Sequence, residues 1–372
     1  MKKVIEVLGR LDRAGQETLV MNIFRNIDKE KYQLVFSVNT SYVGAYEKEV
    51  ESLGGQIYHN PYPADLKHLW MYLREFRKFL RESGPFDVVH CHTYFFGGFI
   101  MWAAYKEGVP VRIMHSHSTF DGYKDSIQRK IYRSFARRLI KKYATKCLAC
   151  SKEAYESFFL EKCLSTDSIL NNAIELDNYS DDVKLIKKYK DEFSTNNRTV
   201  FISVARFNHV KNHEKIIRIF YNYLQEIDSK STLLLVGDGD LKKIIKRQVH
   251  DLDITENVIF LNVRSDVQEL LKISDVFLMP SKWEGLPVSL VEAQAAGVRC
   301  VISDSITDDI DMGLGLIFKC DISDNAKEWA RICQKAVRFS RPNYETRSKA
   351  ISEKGYSINT ILRKLETLYG ED

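Results

Sequence analysis

Nothing in the 372 residues approaches the roughly 20 consecutive apolar residues that a membrane span requires. With only seven prolines there is no room for a long stiff linker, so the whole chain is expected to fold. Cysteine is equally sparse. Seven of them, an odd number at scattered spacing, exclude a disulfide framework and fit a reducing compartment. Cys147 and Cys150 form a CxxC, but no second pair or histidine follows at zinc-finger spacing; in TKCLACS they read as small apolar residues of a buried strand. The run VIEVLG after Met1-Lys2-Lys3 is interrupted by Glu6 and is too short for a signal-peptide core, so a cytoplasmic protein is expected.

Nucleotide-binding signatures are missing as well. No GxGxxG follows any apolar run, and GRLDRAG has the wrong glycine spacing, which removes a nicotinamide enzyme. GxxxxGK[ST] is absent, which removes a P-loop nucleotidase. GDGD at Gly237 to Asp240 contains a DxD string, but it stands between a strand and a helix, where a Gly-Asp turn and a helix N-cap account for it without a metal. No nucleic-acid partner is expected.

What is present is an ordinary globular balance, 44% hydrophobic and 28% charged residues, in a chain too long for one comfortable core. Short β-branched runs alternate with amphipathic helical stretches: VIEVLG, QLVFSV, FDVVHCH, VRIMHSH and TKCLACS, then, after a polar stretch, TVFISVAR, LLLVG, VIFL, DVFLMPS and RCVISD. This pattern predicts an α/β protein of two Rossmann-like, doubly wound domains facing each other across a cleft, with ligands at the carboxyl ends of the strands. The expected division is 1–170, a connector at 171–197, 198–354, and a C-terminal helix over 355–372 that packs back on the first domain.

The most informative stretch is PSKWEGLPVSLVEAQAAG. A buried strand ends at Pro280-Ser281, a loop holds Glu284-Gly285, and Pro287 is placed as the first residue of a helix. Such a helix N-terminus presents unpaired amides and a positive dipole end to a phosphate or to sugar oxygens. Glu284 and Glu292 frame it, and carboxylates accept hydrogen bonds from paired hydroxyls, so sugar or ribose diols are their natural ligands. In VARFNHVKN, Arg206 and Lys211 follow the first strand of the second domain; alone they read as surface charges, but beside the carboxylates they supply the missing cations. Four of the nine histidines form two pairs at strand ends, His90/His92 and His115/His117, and a spacing of two puts both rings of a pair on one face. No carboxylate or cysteine ligand is tied to them by spacing, and no metal is expected there.

These segments resemble glycosyltransferase family 4, the retaining transferases of the GT-B fold. The similarity runs over Ala14-Gly15 with Glu17, FDVVHCH, CSKEA, NNAIE, ARFNHVKN, LVGDGDL and SDVFLMPSKWEGLPVSLVEAQAAG. SDSITDDID and KEWA are similar to the branch that builds bacterial exopolysaccharide and capsule. The resemblance implies a nucleoside-diphosphate sugar donor, a UDP-sugar, and a glycan or lipid-linked acceptor. It implies that Glu284, with Gly285 and Leu286, contacts the donor, that Glu292 holds the ribose, and that Arg206 and Lys211 neutralise the departing diphosphate without a metal or other cofactor. Gly15 would allow backbone to approach the diphosphate. A histidine at the end of the VRIMHSH strand would reach the transferred sugar, His117 fitting best and His115 being the alternative. Ala14 stands where many relatives have glycine, and SDSITDDIDMG replaces their double-glycine segment. A sugar-nucleotide epimerase and a non-catalytic sugar-nucleotide-binding partner of a polysaccharide assembly machine are the competing functions.

The stretch Tyr123 to Tyr143 reads as a helix in which Lys124, Arg129, Lys130, Arg133, Arg137, Arg138, Lys141 and Lys142 meet one acid, Asp125. Ile127, Ile131, Phe135, Leu139 and Ile140 recur at helical spacing and are expected to face inward. The basic face is either a solvated surface or a docking surface for anionic lipid at a cytoplasmic leaflet.

Overall fold

In the computed structural model, residues 1–119, 121–123, 125–162 and 166–370 are described. The chain divides into two units, Met1–Ala173 with Ile358–Asp372, and Ile174–Ser357.

The first unit is built on six strands, β1 (Lys2–Leu8), β2 (Tyr32–Val38), β3 (Gln56–His59), β4 (Val88–Cys91), β5 (Val111–Ser116) and β6 (Lys146–Ala149), in the order β3-β2-β1-β4-β5-β6. All its pairings are parallel. Parallel strands are covered on both faces, which is why their sequences read as continuous apolar runs. Alternation sends Val4 and Leu8 of β1 to one face, under the helices Gly15–Asn26 and Ile358–Leu368. Ile5 and Val7 go to the other, among the residues of the helices Leu69–Ser83 and Gly97–Lys106. Glu6 lies between Val4 and Leu8 and shares their face, so a carboxylate is sealed beneath the C-terminal helix.

The second unit repeats the plan with β7 (Val200–Val204), β8 (Thr232–Val236), β9 (Val258–Asn262), β10 (Val276–Met279), β11 (Arg299–Ser303) and β12 (Ile317–Cys320). Their order is β12-β11-β10-β7-β8-β9, again parallel throughout. Each unit therefore has the strand order of a doubly wound Rossmann sheet, as the run-and-helix alternation implied. In each, the direction of strand addition reverses beside the first strand, between β1 and β4 and between β7 and β10. Loops diverge there and leave space at the carboxyl ends.

Two expectations need correction. The basic helix begins at Ile127, not Tyr123, and Lys124 lies outside the described residues. Of its apolar series only Ile140 is buried and Leu139 partly so, while Ile127, Ile131 and Phe135 are 79%, 64% and 49% exposed. Asp125 is the one acid of the stretch, but acids outside it also pair with the helix: Asp121 binds Arg129 at 2.8 Å and Arg133 at 2.6 Å, Arg133 also reaches Asp125 at 2.5 Å, and Lys141 meets Glu161 at 2.8 Å. No described helix is long and apolar enough to cross a membrane.

Candidate functional site

In the second unit, the residues singled out from the sequence come together at the switch point. Arg206 and Lys211 follow β7, and Glu284 follows β10, its immediate neighbour in the sheet. Asparagines lock the two loops. Asn208 Oδ1 accepts from the amides of Val210 and Lys211 at 3.1 Å, the Lys282 amide donates to the Val210 carbonyl at 2.9 Å, and Asn212, in the left-handed region at φ 54°, donates to the Pro280 carbonyl at 3.1 Å. As a result Lys211 Nζ stands 2.6 Å from Glu284 Oε1, both largely shielded from solvent. Arg206 is exposed, and its side chain has no hydrogen-bond or acidic partner among the described residues.

The GDGD turn supports this arrangement. Gly237 and Gly239 have φ 138° and 153°, and a Cβ would fall 2.1 Å from the Ala205 carbonyl oxygen at the first and 2.5 Å from that of Phe207 at the second. Only glycine lets this turn lie against the backbone that carries Arg206. The turn is as expected, but the N-cap is not: the following helix, Lys242–Asp251, is capped by Leu241, and Asp238 accepts instead from the Gly239 amide at 2.9 Å. Gly15 and Gly285 differ from this pair, since a Cβ at either would meet nothing within 4 Å. The protein's own packing requires neither glycine.

Pro287 is the N-cap of the helix Val288–Ala295 rather than its first residue, and no side chain caps that end, so its amides remain available to a ligand. Leu286 is half-buried against the core beside it. Glu292, one turn further along, accepts a hydrogen bond from the buried Tyr179 hydroxyl. Burial pushes the Glu292 carboxyl up to about 7, the Tyr179 hydrogen bond opposing. Tyr179 escaped the sequence reading because it lies in the polar stretch taken as connector; its only signal was an aromatic among charges.

In the first unit, both histidine pairs belong to one buried polar cluster. β1 and β4 pair with Glu6 in register with His90. Glu6 Oε2 is 2.8 Å from His92 Nε2, and the Tyr369 hydroxyl, from the end of the chain, donates to Glu6 Oε1 at 3.0 Å. His90 Nδ1 lies 3.0 Å from that hydroxyl, and His90 Nε2 is 3.2 Å from His115 Nδ1. His92 Nδ1 is 2.7 Å from His117 Nε2. Burial alone would raise the Glu6 carboxyl, but His90 and His92 beside it hold it well below the usual carboxylate range. Burial and His90 push His92 down to about 4, and burial with the neighbouring rings keeps His115 and His117 well below the usual imidazole value. His115 is buried and turned to His90, whereas His117 is only partly buried, so of the two His117 is the one nearer the surface. His90, His92 and His115 bring ring nitrogens within 4.8 Å of one another, close enough to suggest an ion. The nitrogens nearest each other, however, face in pairs at hydrogen-bond distance.

Two family models cover most of the chain: Glycosyltransferase Family 4 over residues 13–159 and Glycosyl transferases group 1 over 186–312. EpsF of Bacillus subtilis (strain 168) is 36% identical over 99% of this chain and 96% of its own. The chain belongs to glycosyltransferase family 4. The capsular polysaccharide biosynthesis glycosyltransferase CapH of Staphylococcus aureus is 25% identical over 99% of both chains. Among solved structures, Anabaena Alr3699/HepE in complex with UDP matches with a TM-score of 0.76 over 99% of both chains at 17% identity, a likeness of fold. The transferase thus has the GT-B architecture of its family. Its Lys211–Glu284 pair and its Tyr179–Glu292 pair both lie on the second unit.

Proposed function

We propose that this transferase moves a hexosyl group from a UDP-sugar, with retention, to a glycan or lipid-linked saccharide in the making of an exopolysaccharide or capsule. The Lys211–Glu284 pair beside an uncapped helix N-terminus carries the reading. Glu284 binds hydroxyls of the transferred sugar, Glu292 holds the ribose diol, and the free amides at Val288 and Ser289 meet the diphosphate. As the glycosidic bond breaks, charge grows on the diphosphate, and Arg206 and Lys211 stabilise it where a divalent ion would otherwise be needed. In the first unit, Gly15 is open to approach at the first helix N-terminus, and His117 is the residue read as a sugar contact. UDP is favoured by the fold relative that binds it, and capsule by CapH.

The test is UDP release from UDP-glucose, UDP-galactose and UDP-N-acetylglucosamine, with and without a lipid-linked acceptor. Release that depends on acceptor and persists in EDTA is expected. Release without acceptor, with isomerised sugar, would make the protein an epimerase, and no turnover with any donor would leave a binding protein.

The helix Ile127–Tyr143 bears on the acceptor. Its solvent side presents Ile127, Ile131 and Phe135 next to Lys130 and Arg138, which have no acidic partner among the described residues. Apolar side chains that enter a headgroup layer, flanked by cations worth about 1 kcal/mol each near anionic lipid, suit a protein that works on a lipid carrier. Sedimentation with phosphatidylglycerol vesicles and not with neutral ones is expected, fading as salt rises. Ile131→Ser with Phe135→Ser, or Lys130→Gln with Arg138→Gln, should each release most of the bound protein. Equal binding of these variants and of the unaltered chain would refute the docking role.

A further inference from the structure

The rings of the histidine cluster form two edge-to-edge pairs. His90 and His115 are nearly coplanar, at 12°, with centroids 5.3 Å apart; His92 and His117 have centroids 5.0 Å apart. These separations are what result when the facing nitrogens, 3.2 Å and 2.7 Å apart, point straight at each other. The pairs lie one above the other, His90 over His92 at 4.3 Å and His115 over His117 at 4.0 Å. Lone pairs directed at a partner ring within each layer do not converge on one point between the layers, as ligands of a single ion must. Each contact instead requires one ring to donate and the other to accept.

We propose that Glu6 and His92 are positioning residues that fix the proton of His117 on Nε2 and leave its Nδ1 as a hydrogen-bond acceptor for a sugar hydroxyl. The inference rests on the reading of His117 as a sugar contact. An ionised carboxylate only accepts, so His92 must present N–H at Nε2 to Glu6, 2.8 Å away. His92 is neutral, so its Nδ1 carries a lone pair, and the 2.7 Å contact makes His117 Nε2 the donor. His117 is neutral too, and its lone pair is left on Nδ1. Nδ1 of His117 is shielded from solvent and makes no hydrogen bond to a described residue, and the nearby Asn172 amide can turn either its nitrogen or its oxygen to the ring, so it adapts to the proton rather than dictating it. The other oxygen of Glu6 takes the Tyr369 hydroxyl, which leads to His90 and His115, a branch that stacks on His117 without a hydrogen bond to it among the described residues. A neutral imidazole with the wrong tautomer would turn an N–H where a sugar hydroxyl needs an acceptor.

The full chain labelled with 15N-histidine reports the tautomers by NMR through the ring N–H couplings, with His117→Ala and His92→Asn supplying assignments. His92 and His117 should both be Nε2–H in the unaltered protein. In Glu6→Gln the amide can offer N–H or oxygen to His92, and His117 should become a mixture of tautomers, with turnover down about fivefold, the worth of one neutral hydrogen bond. Tyr369→Phe should leave both at Nε2–H. Should Glu6→Gln fail to fold, His92→Asn breaks the same link and should likewise mix the His117 tautomers. Nδ1–H on His117 in the unaltered protein, or an unmixed tautomer in the variants, overturns the proposal. If the tautomers respond as stated but His117→Ala turns over normally, the relay stands and the sugar contact falls.

Discussion

Replacing Lys211 with alanine is expected to lower turnover by on the order of a hundredfold or more, the usual consequence of removing a fixed charge that faces a developing anion. Lys211 Nζ lies 2.6 Å from Glu284 Oε1 in a setting where their side chains are 22% and 11% exposed. A cation held there by a carboxylate is already desolvated and oriented, so little reorganisation is needed when the diphosphate arrives. The alternative is that Lys211 merely neutralises Glu284, whose charge would otherwise be stranded in a partly dry site. A double variant separates the two. If Lys211 serves only Glu284, then Lys211→Ala combined with Glu284→Gln should recover much of the turnover lost in Lys211→Ala. If it serves the leaving group, the double variant should be no better than either single one, because Glu284→Gln itself weakens the grip on the sugar. Arg206→Ala provides the comparison: its side chain is exposed and unpaired, so its removal should leave thermal stability unchanged while turnover falls. Near-normal rates in both alanine variants, with unaltered nucleotide affinity, would show that the charge on the leaving group is met elsewhere.

Much of this was legible in the sequence, and the reasons are specific. Continuous apolar runs such as VFISV and VFLM can only be strands covered on both faces, which leads to parallel sheets and so to sites at strand ends. Glu284 and Lys211 could be paired in advance because β7 and β10, which carry them, border the switch point in any doubly wound sheet of this order. The edge strands β3 and β12 were missed: QIYH and IFKC mix polar residues into four largely half-exposed positions, so neither shows a continuous apolar run. The stripe on the helix Ile127–Tyr143 was assigned to the wrong side for a different reason. Periodicity shows that a helix has an apolar face, not what covers it, and here only the half around Ala136 and Ile140 meets the protein. The Glu6 cluster could not be assembled from spacing, because its members are carried by β1, the ends of β4 and β5 and the chain's last turn, with His90 and Tyr369 separated by 279 positions. One clue was available: a lone acid within the buried part of a parallel strand must have a partner.

Nucleotide-sugar affinity should rise about tenfold between pH 6 and pH 8, because the competent fraction of Glu292 changes by that factor across a midpoint near 7. The sign follows from which form binds. Burial raises this carboxyl to about 7, so below that pH it is mostly protonated and above it mostly charged. A ribose diol donates to a carboxylate, and a protonated carboxyl loses one of the two acceptor oxygens and the charge that strengthens both bonds. Affinity therefore grows as the proton leaves, and by linkage binding near pH 7 must release a proton, visible as a buffer-dependent heat of binding. A nucleotide sugar is the right probe, since its diphosphate is esterified at both ends and does not itself titrate near neutrality. Tyr179→Phe removes the hydrogen bond that favours the charged form, and should move the midpoint to higher pH. Glu292→Gln should bind weakly at every pH with no slope. If Glu292→Gln keeps the slope of the unaltered chain, the titrating group is another one and the ribose is not held here; if its affinity matches the unaltered chain at pH 8, the carboxylate makes no contact with the nucleotide at all.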